Sequence, residues 1–467
     1  MKFHFKKLGL LDEAELELAD LTLVCGENNT GKTYATYAVY GFMKIWRQLL
    51  QIVLVPELEK IASANGAYKF DLNEMFDGKI NEYLTRMGEQ YIALLPDVFA
   101  ANKTYFHDAS FVVSVNASAC TAARYHRTIN DGPAGQVVAT LSKEQDSAVL
   151  ELLIADDNWM KSRFGGLGNF VADAIAEIVF SPYLPVAHIS SAERTGATIF
   201  RKELDFARTR MIEALGSMHT KDLRNPFKLF KQMDAGYAWP VRDNVDFVRE
   251  LEDIDKSVSP LADANPALIQ AFDSIIGGSY KVIKDQGLVY QPKGAGKPRF
   301  TMNESSSCVR ALLDVGFYLR CRAKIGDLFI IDEPELNLHP RNQRSFARLV
   351  ARMVNAGIKV FITTHSDYLI KEFNTLIMLA QNTAHTKNMQ KTYDYADEEL
   401  LKPEGIRLYM TSSELKPADV KGKRATRINT LKPATIFADR GIEVTTFDTT
   451  IEEMNNIQSE ILYGGEL

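Results

Sequence analysis

The sequence has few cysteines, no long apolar run and no excess of basic residues. Its four cysteines are scattered without a C-x-x-C pair, which argues against a zinc ribbon or a disulfide framework. No apolar run reaches the roughly 18 residues of a membrane span, and the N-terminus carries acids where a signal peptide has an apolar core. Acidic residues outnumber basic ones, 60 to 54, so no bulk basic surface for nucleic acid is expected. We therefore expect a cytoplasmic protein that makes no contact with a membrane.

The hydrophobic pattern predicts an α/β fold. With 46% apolar and 24% charged residues, the composition suits a globular chain of two or three domains, or one domain with a large insertion. A short buried strand at residues 21–24 precedes a glycine-bearing loop and an apolar helix over 34–50. Later, an amphipathic helix over 309–323 is followed by apolar strands at 328–331 and 359–363 with a helix between them. This alternation predicts a parallel sheet covered by helices on both faces.

The loop at residues 26–33, GENNTGKT, matches G-x-x-x-x-G-K-[ST] in full. Its backbone N–H groups and the helix start behind it are suited to an anionic phosphate. Lys32 is expected to reach the β- and γ-phosphates, and the Thr33 hydroxyl to bind magnesium. The predicted ligand is a nucleoside triphosphate, ATP with Mg²⁺. The expected binding residues are Gly26, Asn28, Asn29, Thr30, Gly31, Lys32 and Thr33.

Two further candidates stand where apolar strands end. Asp332 and Glu333 follow the strand at 328–331, at the edge where open parallel sheets bind ligands. Asp332 is expected to hold magnesium, and Glu333 to orient and deprotonate the attacking water. His365 ends the next strand and could touch the γ-phosphate or that water. A solvated acidic turn and a structural histidine are the alternatives, but the phosphate loop upstream favours catalysis.

The order GENNTGKT, IDEPELNLHP and TTHS resembles the ABC-type ATPases of the SMC and RecF-like branch, over roughly residues 1–45 and 300–385. The resemblance implies an ABC-type P-loop ATPase head built from 1–45 and 300–467. It also implies a mixed α/β and helical insertion at 46–300 for partner or oligomer contacts. In that family Asp332, Glu333 and His365 match the magnesium aspartate, catalytic glutamate and switch histidine, and residues 336–340 match the dimer-contacting D-loop.

The run at residues 304–310 stands where that family has its signature motif. The resemblance implies that Ser305, Ser306 and Ser307 contact the γ-phosphate of ATP held by a second subunit, so the chain would act as a homodimer or higher homo-oligomer gated by ATP. The family's usual glycine is absent here. A plain serine N-cap is therefore the alternative interpretation of these residues.

The stretch 191–196, SAERTG, is similar to P-A-E-R-T-G in compact prokaryotic ATPases encoded beside a toxic effector, such as the ATPase subunits of the Septu and PARIS anti-phage systems. This resemblance implies an ATP-hydrolysing sensor or scaffold that controls a separate nuclease or toxin and responds to DNA or a phage protein. Arg194 would either act near phosphate or only form a salt bridge.

Two other functions stay open: a RecF/SMC-like DNA-binding ATPase of DNA repair or chromosome maintenance, and a scaffold that barely hydrolyses ATP. The acidic balance and the lack of a long heptad run argue against the first, and the intact Lys32 and Glu333 against the second. No nuclease activity is expected, because no D-x-D follows the helix after His365. Candidate DNA contacts are the basic clusters Arg201, Lys202, Arg208 and Arg210, and Lys421, Lys423 and Arg424.

Overall fold

The computed structural model describes most of the chain. The described residues are 1–58, 67–116, 123–130, 135–155, 167–200, 236–283, 287–294, 296–416, 426–443 and 453–461. Both basic clusters named above lie outside these ranges.

A central six-stranded sheet organises the molecule. In spatial order its strands are β16 (Thr426–Pro433), β15 (Ile406–Lys416), β3 (Leu21–Cys25), β14 (Lys359–Thr364), β13 (Leu328–Asp332) and β9 (Ala187–Ser190). Five of these strands run parallel, and β16 pairs with β15 in the antiparallel direction. The sheet confirms the α/β class predicted from the alternation of apolar strands and helices.

Smaller antiparallel sheets surround the central one. A three-stranded sheet contains β1 (Lys2–Leu8), β2 (Leu11–Glu17) and β5 (Ser110–Ser114). A four-stranded sheet contains β4 (Ala67–Asp71), β6 (Tyr125–Asn130), β7 (Val137–Lys143) and β8 (Val149–Ile154). The remaining strands are β10 (Gly278–Ile283), β11 (Gly287–Pro292), β12 (Phe300–Thr301), β17 (Ile436–Phe437) and β18 (Gly441–Ile442).

The α-helices vary from one turn to 27 residues. Those before residue 300 are α1 (Lys32–Leu58), α2 (Leu72–Phe76), α3 (Ile80–Ile92), α4 (Leu95–Val98), α5 (Leu167–Ile175), α6 (Arg194–Ile199), α7 (Trp239–Arg249), α8 (Leu251–Ile254), α9 (Pro260–Ala264) and α10 (Pro266–Ile276). Those after it are α11 (Ser307–Ala311), α12 (Leu313–Phe317), α13 (Pro340–Asn355), α14 (Asp367–Leu379) and α15 (Ala384–Thr392). Residues 453–461 are also helical.

The helix predicted over 309–323 is divided in the structure. It consists of α11, α12 and a wider π-helical turn at Tyr318–Arg322. The first break falls at Leu312, whose φ of −107° departs from helical geometry. The amphipathic pattern therefore predicts a helical segment correctly, but it does not show where the backbone hydrogen bonding changes within that segment.

The central strands divide their side chains between two cores, which explains why they are apolar throughout. Leu328 and Ile330 of β13 point into one core, with α1 and the β1–β2 hairpin. Phe329 and Ile331 point into the other, with α13 and α14. Because successive side chains on a strand face opposite sides, a sheet covered on both faces requires this continuous apolar run.

Two elements cross the boundary expected between the ATPase head and its insertion. Helix α1 continues without interruption past residue 45 to Leu58, although Pro56 lies within it. Strand β9, from the segment expected to be an insertion, forms an edge of the central sheet beside β13. Within the described ranges, no helix combines the length and apolar character needed to cross a membrane.

Candidate functional site

The phosphate loop connects β3, the fully buried third strand of the sheet, to the start of α1. Gly26 has a φ of +145°, and a Cβ there would lie 1.8 Å from Oγ1 of Thr411. Gly31 has a φ of +101°, and a Cβ there would press on Leu11. Both positions therefore need glycine, for backbone conformation and for space. Asn29, between them, is also left-handed at φ +61°.

Lys32 turns back onto the loop that carries it. Its Nζ donates hydrogen bonds to the carbonyl oxygens of Gly26 at 2.8 Å and Glu27 at 2.7 Å, and the residue is buried. The Thr30 hydroxyl donates to the same Glu27 carbonyl at 2.6 Å. Thr33 is exposed at the start of α1. The loop thus holds the Lys32 ammonium group in place through its own carbonyl oxygens.

Asp332 ends β13 in a buried position. Its carboxylate accepts a hydrogen bond from the hydroxyl of Thr363 on β14, and only 2% of the residue is exposed. Burial raises the pKa of Asp332 to about 6, the Thr363 hydrogen bond opposes that rise, and the nearby Glu333 and Glu193 carboxylates add to it. A cation at this position would relieve the cost of the buried charge, which suits the magnesium role predicted for Asp332.

Glu333 lies where the chain leaves the sheet. Its φ of +48° places a non-glycine residue in the left-handed region, which costs on the order of 1–3 kcal/mol. Its N–H donates to the Thr363 carbonyl at 3.0 Å, so the unusual backbone is held against β14. Its Oε1 lies 3.6 Å from Nδ1 of His365. The structure therefore brings the predicted base and the predicted switch histidine together.

Glu335 is a second carboxylate beside His365. Its Oε1 lies 3.2 Å from His365 Nδ1 and accepts hydrogen bonds from the His365 N–H at 2.8 Å and the Thr364 hydroxyl at 2.9 Å. Burial raises the pKa of Glu335, and these bonds oppose the rise. A partly exposed acid and a buried one thus both lie near Nδ1 of His365, and 40% of the His365 side chain is exposed.

The first turns of α1 face Asp332. Burial raises the pKa of Tyr37, and the nearby Asp332 and Glu193 carboxylates add to the rise. The Tyr37 hydroxyl donates to Glu193 at 3.1 Å. Thr33 lies one helical turn before Tyr37 on the same side of α1. Thr33 also lines a cavity together with Glu333, the residue that follows Asp332. This arrangement fits a magnesium ion held by Thr33 and Asp332.

The protein alone supplies only part of such a metal site. Among the described residues, no group of three or more His, Cys, Asp or Glu side chains is placed to hold a metal ion. Magnesium prefers six oxygen ligands and commonly keeps water and substrate phosphate oxygens among them. A site with one hydroxyl and one carboxylate from the chain is therefore suited to a metal–nucleotide complex rather than to a free ion.

The buried side chain of Arg194 connects separate elements of the fold. It donates hydrogen bonds to the carbonyl oxygens of Asp332 at 2.7 Å, Glu333 at 2.9 Å, Ser191 at 2.9 Å and Ala311 at 2.9 Å. Sequence reasoning left a phosphate contact and a salt bridge as its two alternatives. The contacts are instead with backbone carbonyls, and they tie the strand end of β13 to α11.

The three signature serines do not join this site within one chain. The Ser306 hydroxyl caps α11 by accepting the Val309 N–H at 3.3 Å, and the Ser305 hydroxyl donates to the Thr301 carbonyl at 2.8 Å. Ser306 and Ser307 are exposed. None of the three is among the described residues that line the cavities at the phosphate loop. The N-cap interpretation describes what Ser306 does within the single chain.

Two cavities border the phosphate loop. One, of about 870 Å³, is lined by Gly26, Glu335, His365 and Thr411 among others. The other, of about 480 Å³, is lined by residues 28–34 with Leu10 and Glu333. Asn28 and Thr30 line both, so the loop runs between them. Volumes of this size suit a nucleotide.

Sequence reasoning assigned no role to several residues at the site. Glu335 belongs to the same D-E-P-E run as the predicted acids, and Glu193 belongs to the A-E-R-T-G stretch, so both had a signal in the sequence. Thr363 and Tyr37 had none, because a threonine in a strand and a tyrosine in a helix are ordinary. Their importance comes from contacts between distant parts of the chain.

Comparison with known proteins supports an ATPase domain. Residues 217–370 match the family model of the AAA ATPase domain, a stretch that contains Asp332, Glu333 and His365. No curated protein matches the chain. An SMC head domain from Thermotoga maritima matches with 10% identity over 93% of this chain and 98% of that one, at a TM-score of 0.28.

Two further solved structures are similar. One is the SmcHead bound to the C-winged helix domain of ScpA, at 11% identity over 92% of this chain and 97% of that one, with a TM-score of 0.31. The other is an Smc head domain with an extended coiled coil, bound to the C-terminal domain of ScpA derived from Pyrococcus furiosus. It shows 12% identity over 98% of both chains and a TM-score of 0.31.

Proposed function

We propose that this chain binds ATP with magnesium, hydrolyses it, and uses the cycle as a switch. In this proposal it is the ATPase subunit of a prokaryotic anti-phage system, and ATP-dependent oligomerisation controls a separate nuclease or toxin. The main support for this proposal is that the phosphate loop, Asp332 and the Glu333–His365 pair lie at one edge of a parallel sheet. Ligands of such sheets bind at the carboxyl ends of the strands.

Each residue has a distinct task in the proposed reaction. Lys32 exchanges its bonds to the loop carbonyls of Gly26 and Glu27 for bonds to phosphate oxygens. Thr33 and Asp332 hold magnesium, which neutralises charge developing on the phosphates when it is bound. Glu333 accepts a proton from the attacking water, and His365 contacts the γ-phosphate. His365 lies close enough to Glu333 to steady its carboxylate.

The switch behaviour rests on the signature serines. Ser306 and Ser307 are exposed on α11 and do not line the cavities of their own chain, so they are available to a second copy. Backbone amides and hydroxyls at a helix start are suited to an anionic phosphate. Arg194 connects α11 to the carbonyl oxygens of Asp332 and Glu333, so contact at the serines has a direct structural route to the catalytic acids.

The proposed defence role is supported by the SAERTG stretch, which contains Arg194 and Glu193. The test is co-purification with the product of a neighbouring nuclease or toxin gene, with and without ATP. Recovery of that product in a nucleotide-dependent complex supports the proposal. DNA-stimulated ATP turnover without a protein partner would favour the DNA-repair or chromosome-maintenance function instead.

The proposed ATP hydrolysis is tested separately from the defence role. Glu333→Gln should leave ATP binding intact, lower turnover by about 100-fold or more, and accumulate an ATP-bound oligomer, because the amide cannot take a proton from water. Turnover is measured by phosphate release and oligomer size by light scattering. A matched control is Glu372→Gln, which alters a buried carboxylate bound to Arg344 and Tyr395 instead. Wild-type turnover in the Glu333 variant would refute its assigned role.

A further inference from the structure

Glu335 has contacts that the proposed reaction does not use. The residue is buried, with 6% of its surface exposed, yet it lines the larger cavity beside His365. One oxygen, Oε1, accepts hydrogen bonds from the Thr364 hydroxyl and the His365 N–H. The same oxygen lies 3.2 Å from the His365 ring nitrogen Nδ1. The carboxylate therefore holds the backbone of His365 and lies beside its ring.

The surrounding contacts keep Glu335 from moving. Its own carbonyl accepts the N–H of Leu338, which closes the turn after β13. Farther along, Gln343 of α13 donates to the Leu338 carbonyl at 2.9 Å and accepts from the Ser366 hydroxyl at 2.5 Å. The turn that carries Glu335 is thus attached to the end of β14 twice, at His365 and at Ser366.

The two carboxylates near His365 are not equivalent. Glu333 is more exposed, lies 3.6 Å from Nδ1, and is needed by the water. Glu335 is closer, at 3.2 Å, and is anchored by backbone and hydroxyl donors. A carboxylate beside one ring nitrogen fixes hydrogen there and leaves the other nitrogen free for the substrate, because the two nitrogens of a neutral imidazole carry one hydrogen between them.

We propose that Glu335 is a positioning residue: it holds the hydrogen of His365 on Nδ1 and commits Nε2 to the γ-phosphate. The inference rests on the proposed function, since it concerns the same site. Glu335 touches neither the phosphate nor the water and acts through His365. In this arrangement Glu333 is spared the task of orienting the imidazole and remains available to the attacking water.

The kinetic test uses Glu335→Ala, Glu335→Gln and the double variant with His365→Ala. The alanine variant should lower kcat about 10- to 100-fold with little change in KM, as loss of an orienting partner does. Glutamine keeps an acceptor oxygen and should restore part of the rate. Because Glu335 acts through His365, the double variant should be no slower than His365→Ala alone. Multiplicative losses, or wild-type kcat in the alanine variant, would overturn the proposal.

A spectroscopic test does not depend on turnover. The ¹⁵N imidazole signals of His365, identified by their loss in His365→Ala among eight histidines, should show the Nδ1–H tautomer in the wild type and a mixture in Glu335→Ala. The Glu372→Gln control should leave the signals unchanged. Unaltered His365 signals in Glu335→Ala refute the positioning role. If the wild type shows no ATP hydrolysis while these signals still change, the proposed function fails, and only the positioning of the His365 ring by Glu335 is retained.

Discussion

In the proposed function, the Lys32 ammonium group must change its contacts when ATP binds. The ammonium already has two carbonyl partners in the loop, so phosphate binding replaces satisfied hydrogen bonds rather than capturing a free charge. Charge-assisted bonds to phosphate are shorter and stronger than those to neutral carbonyls, which favours the exchange.

We predict that Lys32→Ala weakens ATP binding at least about tenfold, because hydrogen bonds to charged groups contribute about 1.5–3 kcal/mol each. A fluorescent ATP analogue titrated against the protein measures the change. Lys44→Ala is the matched control, since Lys44 lies on the same helix and pairs with Asp243 instead. Equal affinities for the Lys32 variant and the wild type would contradict the assignment.

The raised pKa of Asp332 gives a second prediction, in buffer without magnesium or nucleotide. The pKa of Asp332 is about 6 in the folded chain, against an ordinary value of 3.8, so between these values the folded state binds more protons than the unfolded state. Stability contributed by this group therefore falls as pH rises from about 4 to 6 and stays low above that range.

Asp332→Asn removes the buried charge and should raise the free energy of unfolding at pH 7.5, by about 3 kcal/mol at most, with little gain near pH 4. Urea unfolding at both pH values measures the difference. A gain of equal size at both values would mean that the carboxylate charge is not its cause. The same variant should lose magnesium-dependent ATP turnover, because an amide is a poorer ligand for the ion.

The main candidate residues of the site could be predicted from the sequence because each stands at the end of an apolar strand. Asp332 and His365 end neighbouring parallel strands, and parallel strands present their carboxyl ends at one edge. The pairings of Glu335 with Thr364 and of Asp332 with Thr363 were not accessible. They join residues about 30 positions apart whose types carry no signal of contact, and they depend on strand register.

Arg194 connects the end of β13, where Asp332 and Glu333 lie, to α11. Its four carbonyl partners belong to three separate parts of the chain, and the side chain is almost fully buried. A buried guanidinium can satisfy several fixed acceptors at once because its donors lie in a rigid plane, whereas an ammonium cannot match that geometry.

We therefore predict that Arg194→Lys lowers the free energy of unfolding by about 2–4 kcal/mol, since buried carbonyls lose their donors. Chemical unfolding followed by fluorescence measures this loss. Arg341→Lys, at an exposed position on α13, makes the same exchange without buried partners and should have little effect. If both variants lose equally, the buried contacts of Arg194 do not explain its presence.

The sequence located the core strands well and the surrounding elements less well. Strands predicted at 328–331 and 359–363 occur as Leu328–Asp332 and Lys359–Thr364. These strands are apolar throughout because both faces are buried. Strand β9 and the β15–β16 hairpin were not predicted as parts of the sheet. Strands β9 and β16 lie at its edges, and β15 mixes buried with partly exposed residues, so all three resemble any amphipathic segment.

In the proposed function, one chain does not form a complete ATP site, because the residues of the site lie on two separate surfaces of the molecule. The loop, Asp332, Glu333 and His365 form one part, and the exposed Ser306 and Ser307 lie outside it. If a second copy supplies these serines, each nucleotide is held between two chains. Two-fold symmetric pairing then creates two equivalent sites from two identical surfaces.

Mixing two inactive variants tests this arrangement directly. Lys32→Ala removes the phosphate contact, and Ser307→Trp blocks the serine surface without replacing the Ser306 cap, so each homodimer should lack a complete site. In a mixed dimer, one site combines the intact loop of the serine variant with the intact serines of the lysine variant. Random pairing at equal amounts gives half mixed dimers with one working site each, so about one quarter of wild-type turnover should return.

The recovery is measured by phosphate release across a series of mixing ratios, and it should peak at equal amounts. A control mixture of Lys32→Ala with Glu333→Gln should regain nothing, because both changes fall in the same half of the site and every pairing leaves each site defective. Additive, near-zero rates in the first mixture would show that the serines of a second chain do not complete the site. Recovery in both mixtures would mean that the loop and Glu333 serve different nucleotides.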